Sequence, residues 1–326
     1  MVFPLLNLPG VPLRQIINGM ESYELFDLYN CSDVASMALK PYEKANKNFQ
    51  VQIDFQRHSI DIKGVRRYRC IEEYNENWRE KKIQVFDGRE VSVEELDNQN
   101  YNTYWPETDK FIGTMCLANN FTEKLGMGTL DQLMIGEETP AGKVLDWIEK
   151  NDLKMIDFNL IGTPEHKADD VATRIYSDEF FKRVSMNYTS LLKTSDGFQP
   201  KGISGTKTIS LGKLQLEHAE WITLNHLMMF NCHSIILHSS SLTNQDIRTY
   251  LSKWRNGEFE QMMYLSLELK NQKKFDLKEI TKDMIDSKKI EIAESGEQEV
   301  ILPRNDGKTA EINVNATGEK LIIWIE

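Results

Sequence analysis

His218, His226, His233 and His238 fall within 21 residues, and Cys232 stands among them. Imidazole nitrogen and thiolate sulfur are zinc ligands, so this segment is the first place to look for chemistry. Tetrahedral zinc sites draw on close pairs of the CxxC or HxxxH kind, and this segment contains none. His218 and His226 fall in a helical pattern and His238 follows an apolar strand pattern, so surface or core histidines are expected. Gly202, Gly205 and Lys207 in "KGISGTKT" suggest a phosphate loop, but the GxxxxGK[ST] spacing is absent. The acid pairs Glu72-Glu73 and Glu94-Glu95 could serve acid/base catalysis; in a chain with 50 carboxylates they read as solvated surface. No GxSxG elbow or cysteine nucleophile motif occurs. Cys70 and Cys116 are expected to be small buried apolar groups. No catalytic residue, metal or cofactor is therefore expected.

Composition narrows the remaining classes. The chain has 326 residues, room for about two domains, and a net charge of −11. That balance argues against nucleic acid as the main partner, because phosphate contacts need clustered Lys and Arg. No apolar run approaches the ~18 residues of a membrane span. The first thirteen residues are largely apolar, but Pro4, Pro9 and Pro12 interrupt them and no Lys or Arg precedes Arg14, which does not suit a secretory signal. The four cysteines, Cys31, Cys70, Cys116 and Cys232, are widely spaced and suit reduced thiols. A cytoplasmic or nuclear location is expected, without membrane or nucleic-acid partners.

The first 45 residues read as short helices. Pro12 suits a first helical position, where its missing N–H is not needed. Leu13, Ile16, Ile17 and Met20 follow at i, i+3, i+4 and i+7, one helical face, and Gly19 marks the exit. Ser22 can cap a second helix carrying Leu25, Phe26 and Leu28. Ser32 can cap a third carrying Val34, Met37 and Ala38, ended near Pro41. So short a unit buries little surface alone, and its apolar residues lie on several helix sides. Either they pack on the rest of the chain or they form half of an interface.

The stretch "FPLLNLPGVPLRQIINGMESYELFDLYNCSDVASMALK" resembles an F-box. The resemblance is carried by the Leu8-Pro9 pair, the Ile16-Ile17 helix, the acidic turn before a Leu-rich helix and the Cys31-Ser32 helix start. Gly10, Pro12 and Pro41 depart from the common pattern. The resemblance implies a three-helix domain over 1–45 that binds a Skp-type adaptor and, through it, a cullin. It assigns adaptor contact to Leu5, Leu6, Leu8, Pro9, Leu13, Ile16 and Ile17, with Val34 from the third helix. Each fully buried Leu or Ile contributes about 1.5–3 kcal/mol, against an association cost of about 4–15 kcal/mol. A set of that size offsets the cost; one or two residues would not.

Beyond the F-box-like segment, residues 46–326 read as a larger α/β domain. Phe49, Val51, Ile53 and Phe55 alternate with polar residues, the period of a half-buried strand. Ile60 and Ile62 mark a second strand and "KIQVF" a third, while the polar stretch 97–110 is expected to be a loop. "TPAGKVLDWIEKNDL" reads as a helix with Val144, Leu145 and Ile148 on one face, followed by the strand "KMIDFNLIG". Later strands are "KTISLGKL", "HSIILHSS" and "MMYLSLEL". Between the last two lies a helix capped by Thr243 or Asn244, with the stripe Ile247, Tyr250, Leu251 and Trp254, ended by Gly257. Ile209, Ile235 and Met263 are 26 and 28 residues apart, within the ~20–29 of a leucine-rich-type repeat. An ordinary α+β domain with similar loop lengths is the alternative.

This half also resembles the F-box-associated region of the nematode-expanded F-box families. Trp221-Ile222-Thr223, Leu242-Thr243-Asn244 and Leu251-Ser252-Lys253-Trp254 carry the match, clearest over 190–270, and Asp306-Gly307 is a turn between closing strands. The fold expected is α+β: a small three-helix F-box, then a larger α/β domain. The resemblance implies a non-catalytic substrate-recognition subunit of a Skp–cullin–F-box ubiquitin ligase, holding a target protein. A non-degradative adaptor-binding or decoy protein stays open, as does a target contact through an exposed Trp221 or Trp254.

Overall fold

The computed structural model describes residues 9–20, 24–25, 28, 35, 50–72, 82–97, 99–105, 110–125, 128–162, 165–203, 208–270, 274–286 and 289–326. The chain divides into two compact units, Met1–Thr139 with Lys143–Met155, and Pro140–Gly142 with Ile156–Glu326. The expected boundary at residue 45 falls outside the described residues. Each unit combines helices with parallel and antiparallel strands, an α+β architecture. No described helix is long and apolar enough to cross a membrane.

The first element is helix α1, Gly10–Gly19. Pro12 occupies its third position rather than its first, and Pro9 is the N-cap. The reason for tolerance is unchanged: the first four helical N–H groups have no intrahelical acceptor, so a missing one costs little. Gly19 is the last helical residue, and Met20 turns out in extended geometry with its N–H on the carbonyls of Ile16 and Ile17. Of the expected second and third helices, only Glu24, Leu25, Leu28 and Ala35 are described, each helical.

Unit one continues with β1 (Val51–Asp54), β2 (Ser59–Ile62), β3 (Arg66–Glu72), β4 (Lys82–Phe86), β5 (Arg89–Glu95), β6 (Asn100–Trp105), helix α2 (Lys110–Leu125) and β7 (Thr129–Ile135). The strands order as β7-β1-β2-β3-β6-β5-β4. Val51, Ile53, Phe55, Ile60 and Ile62 are all buried, as the alternation requires. Phe49 lies outside the described residues. The loop expected over 97–110 gives way to a strand at Asn100–Trp105, β6, with Tyr101, Thr103 and Trp105 buried, while residues 106–109 lie outside the described residues. Asn and Thr on a strand with period two disguised an aromatic stripe. Helix α2 lies flush on that strand, and a Cβ on Gly113 would stand 2.7 Å from the Trp105 indole nitrogen.

Helix α3 (Ala141–Lys150) spans the division between the units and buries Val144, Leu145 and Ile148. Unit two takes up the chain at Ile156, within β8 (Lys154–Leu160), and then carries α4 (Glu165–Ile175), α5 (Asp178–Phe181), β9 (Val184–Ser190), β10 (Lys213–Leu216), α6 (Leu224–Met229), β11 (Ser234–Ser240), α7 (Asn244–Arg255) and β12 (Tyr264–Leu269). It closes with α8 (Leu277–Ile280), β13 (Glu291–Ile292), β14 (Gln298–Pro303), β15 (Thr309–Val314) and β16 (Lys320–Ile325). The strand order is β13-β14-β15-β16-β12-β11-β10-β9-β8. β9 to β12 are parallel neighbours, and β12 to β13 by way of β16 are antiparallel.

A single row of register partners shows how the core is built. Tyr188, Leu214, Ile235, Leu265, Ile323, Ile312 and Val300 stand opposite one another across seven strands, and none is more than 2% exposed. Helix α7 is legible in every part. Thr243 is the N-cap in a capping box with Asp246, and Ile247, Tyr250, Leu251 and Trp254 are buried. Gly257 takes φ +94° beyond the end, the left-handed geometry glycine supplies.

The even repeat does not hold. The register equivalents of Ile235 are Leu214, 21 residues before, and Leu265, 30 after. Ile209 sits in an isolated bridge with Phe230, and Met263 precedes β12. The strands do alternate with helices, but the intervening segments differ in length.

Candidate functional site

The histidine-rich segment has other work. His226 Nδ1 accepts the Thr223 N–H at 3.2 Å in the capping box of α6, its ring meets Trp221 edge to face, and burial pushes its pKa down. His238 Nδ1 stands 2.8 Å from Glu268, and its Nε2 3.6 Å from Glu217. Cys232 is buried, and desolvation pushes its thiol up to about 12. Among the described residues no cluster of three His, Cys, Asp or Glu is placed to hold a metal ion.

The other chemical motifs also resolve into packing. Gly202 bridges to Ser177, and a Cβ there would meet the Ser177 Cβ at 2.6 Å, so close approach explains this glycine. Gly205, Lys207, Glu73 and the Glu72 side chain lie outside the described residues. Glu94 is buried and accepts a short hydrogen bond from the Tyr104 hydroxyl, whereas Glu95 is exposed. Cys70 and Cys116 are buried free thiols, and desolvation raises both, Cys70 to about 11.

Helix α1 carries four of the expected adaptor contacts, counting Pro9 at its cap. Leu13 and Ile17 are each 4% exposed, while Ile16 is 38% and neighbouring Val11 71% exposed. The helix therefore turns one pair inward and offers another. Leu5, Leu6, Leu8 and Val34 lie outside the described residues.

Unit two presents a second surface. The residues that alternate with the buried row form an open sheet face. Thr189, Gln215, Ile236, Ser266, Ile322, Asn313 and Glu299 are register partners across it, from β9 to β14. Beside that row Trp324 stands between Tyr264 on β12 and Glu311 on β15. Its indole is 4.4 Å from the Tyr264 ring, and the residue is 52% exposed. A cleft of about 420 Å³ opens on the β13–β16 part of this face, lined by Glu291, Glu299, Asn313, Lys320, Ile322 and Trp324 among others. The core reading of the Tyr250–Trp254 stripe holds, and the alternative of a target contact through an exposed Trp221 or Trp254 does not, since both are buried. Trp324 was hidden in the apolar run "KLIIWI". Period two there separates Leu321, Ile323 and Ile325 from Ile322 and Trp324, which is the signal that finds it.

A smaller cleft of about 200 Å³ lies at the carboxyl ends of the parallel strands, bounded by the 193–199 loop, Trp221, Ser240 and Lys270. Here Ser190 and Ser240 play the same part. Each ends a strand with its Oγ accepting the N–H two residues on, at 3.3 and 3.2 Å. Lys270 bridges Glu220 at 3.1 Å and Asp196 at 3.6 Å, and the hydrogen bond and charge of Glu220 raise its pKa.

Comparison with known proteins finds one family model that matches a segment of unit two. The F-box associated family matches residues 198–267, which include β10, β11 and most of β12. An N-terminal F-box is not detected. Two relatives come from Caenorhabditis elegans. The "Skn-1 dependent zygotic transcript 15 protein" is 38% identical over 58 residues, 18% of this chain and 17% of the relative. The "E3 ubiquitin-protein ligase hecw-1" is 26% identical over 78 residues, 24% of this chain and 6% of the relative. The matched segments thus span less than a fifth of either relative. No solved structure matches.

Proposed function

We propose that the chain is a substrate-recognition subunit of a Skp–cullin–F-box ubiquitin ligase. Residues 1–45 act as the F-box and 46–326 as the domain that holds the target. The observation that carries the reading is the F-box associated match over 198–267, on strands where Gln215 and Ile236 alternate with core residues and stay half-exposed. The F-box-like pattern around Leu8-Pro9 and Ile16-Ile17 supports it from the other end of the sequence.

In this reading the chain does no bond chemistry. Leu5, Leu6, Leu8, Pro9, Ile16 and Val34 engage a Skp-type adaptor, while Leu13 and Ile17, buried within the chain, hold helix α1 in place behind that contact; the adaptor engages the cullin. The open face of unit two holds the target protein. Tethering raises the local concentration of target lysines at a ubiquitin-charged conjugating enzyme and so accelerates transfer. The complex works in the cytoplasm or nucleus, and needs no cofactor of this chain.

The test is capture of adaptor and cullin by the full chain and by a Leu8→Asp, Pro9→Ala variant, followed by ubiquitin transfer with the captured complex. Adaptor and cullin on the wild type, lost in the variant, support the reading. Wild-type protein that recovers no adaptor overturns it. Capture without transfer to any co-captured protein replaces it with the non-degradative reading.

A further inference from the structure

We infer that the cleft on the β13–β16 face seats an Arg- or Lys-bearing segment of a partner protein, with the cationic side chain over Trp324. The inference deepens the target-holding reading and rests on it for the partner's identity as a target. The cleft itself is argued from its own geometry.

Three features converge. The first is an exposed aromatic: Trp324 is 52% exposed on a strand, backed on one side by the Tyr264 ring at 4.4 Å, which fixes the indole in place. The face of Trp is the strongest cation-binding ring among the side chains. The second is charge. Residues 289–326 contain eight acidic and four basic residues. Of the basic ones, Arg304 is committed to Asp306, and Lys308 reaches the Glu260 carbonyl. Glu291, Glu297 and Glu299 line the cleft, and none has an ion-pair partner among the described residues. Glu311 stands opposite Trp324 in the ladder. The third is an apolar complement: Ile322 lies in the cleft floor and Ile292, 61% exposed, on its β13 rim.

Among the described residues Lys320 is the one lysine that lines the cleft, and it faces Glu268 across the β12–β16 ladder, while Lys289 is outside the lining. What remains is an aromatic floor with uncommitted carboxylates at one side, complementary to a guanidinium or ammonium carried on a segment with an apolar neighbour. A nucleic acid would meet these carboxylates with its phosphates, and a purely apolar segment would leave them without a counter-charge.

The experiment uses the full chain and two labelled octapeptides, alternating Arg-Val and alternating Glu-Val, at about 0.15 M salt to screen diffuse attraction. Variants are Trp324→Ala and the double Glu297→Gln, Glu299→Gln. A charge-matched control, Glu137→Gln with Glu138→Gln, alters exposed carboxylates of unit one. The expected result is binding of the Arg-Val peptide alone, weakened at least about tenfold by both cleft variants and unchanged in the control. Equal weakening in cleft and control variants, equal binding of the Glu-Val peptide, or no binding by wild type overturns the inference. The carboxylate pair is fully on the surface side, so its variant keeps the test decisive even where Trp324→Ala loosens β16. Adaptor capture by the same preparations separates the two readings. Discrimination at the cleft without adaptor capture retains the basic-segment site and removes the ligase reading, and the converse removes only the cleft.

Discussion

The two faces of helix α1 make a sharp prediction about adaptor binding. Leu13 and Ile17 are already sealed within the chain at 4% exposure each, so a partner has almost nothing left to bury there. Ile16 at 38% and Val11 at 71% retain exposed surface. Full burial of such a side chain is worth about 1.5–3 kcal/mol. The exposed fractions then leave about 1 kcal/mol for Ile16 and about 1–2 kcal/mol for Val11 to be gained on docking. Together that is about 2–3 kcal/mol, or about 30- to 150-fold in affinity.

Val11→Asp with Ile16→Asp should therefore weaken adaptor binding by at least about 30-fold and leave the thermal midpoint nearly unchanged. Leu13→Ala should do the reverse. It opens a cavity costing about 2–5 kcal/mol of stability, and it affects binding only as far as the helix loosens. Calorimetric titration of purified chain with a Skp-type adaptor, paired with thermal unfolding, reads both quantities. The reasoning fails if the double aspartate variant binds as wild type. It also fails if Leu13→Ala loses the adaptor at an unchanged midpoint, because the buried pair would then be turning outward to form the interface.

Other expectations follow from single contacts. Trp254→Ala empties the site under α7 where the ring is fully buried beside Arg304, and should cost about 3–5 kcal/mol in denaturant unfolding. Gly113→Ala drives a methyl into the Trp105 indole and should cost about 1–3 kcal/mol, with a change in near-ultraviolet circular dichroism. Asp306 is held far below the usual carboxylate range, chiefly by the Arg304 side chain. A depressed folded pKa gives stability that is complete above the unfolded value of about 4 and lost as pH falls below it. Asp306→Asn should therefore flatten the acid limb of the stability profile below about pH 4. Cys70 and Cys232, buried and raised to about 11 and about 12, should resist iodoacetamide at pH 8 in the native chain and react on unfolding.

Elements whose local signals agreed with their packing were readable in advance. In α7 the Thr243 cap, the four-residue stripe and Gly257 all point to one helix, and each is found in its place. The strand around Val51, Ile53 and Phe55 was equally plain, because its apolar face is uninterrupted. β6 was missed because Asn100, Asn102 and Thr103 read as turn chemistry, whereas cross-strand pairing with β3 and β5 overrides that preference. The exposed ring on the sheet face was missed for a related reason. Trp221 stands in the turn ahead of α6 and Trp254 on α7, and neither position declares by itself which side meets the sheet. Trp324 becomes exposed only through its register with Tyr264 and Glu311, a property of three strands together.

Register also explains how a buried core and a specific surface share the same strands. Because side chains alternate, fixing Ile323 against Leu265 and Ile312 fixes Trp324 against Tyr264 and Glu311 on the other face. The seven-residue row in the core tolerates little change in volume, since every member is buried. The open row beside it runs from Thr189 and Gln215 to Asn313 and Glu299 and, Ser266 apart, is free of that constraint. A one-residue slip of β16 would carry Trp324 inward and Ile323 outward, ruining core and cleft at once. Substitutions that keep the register can instead change what the cleft accepts while leaving the sheet intact. The Asp306-Gly307 turn, braced by Arg304, fixes the lead from β14 to β15, so the acidic rim at Glu299 and the ring at Trp324 are held in one geometry.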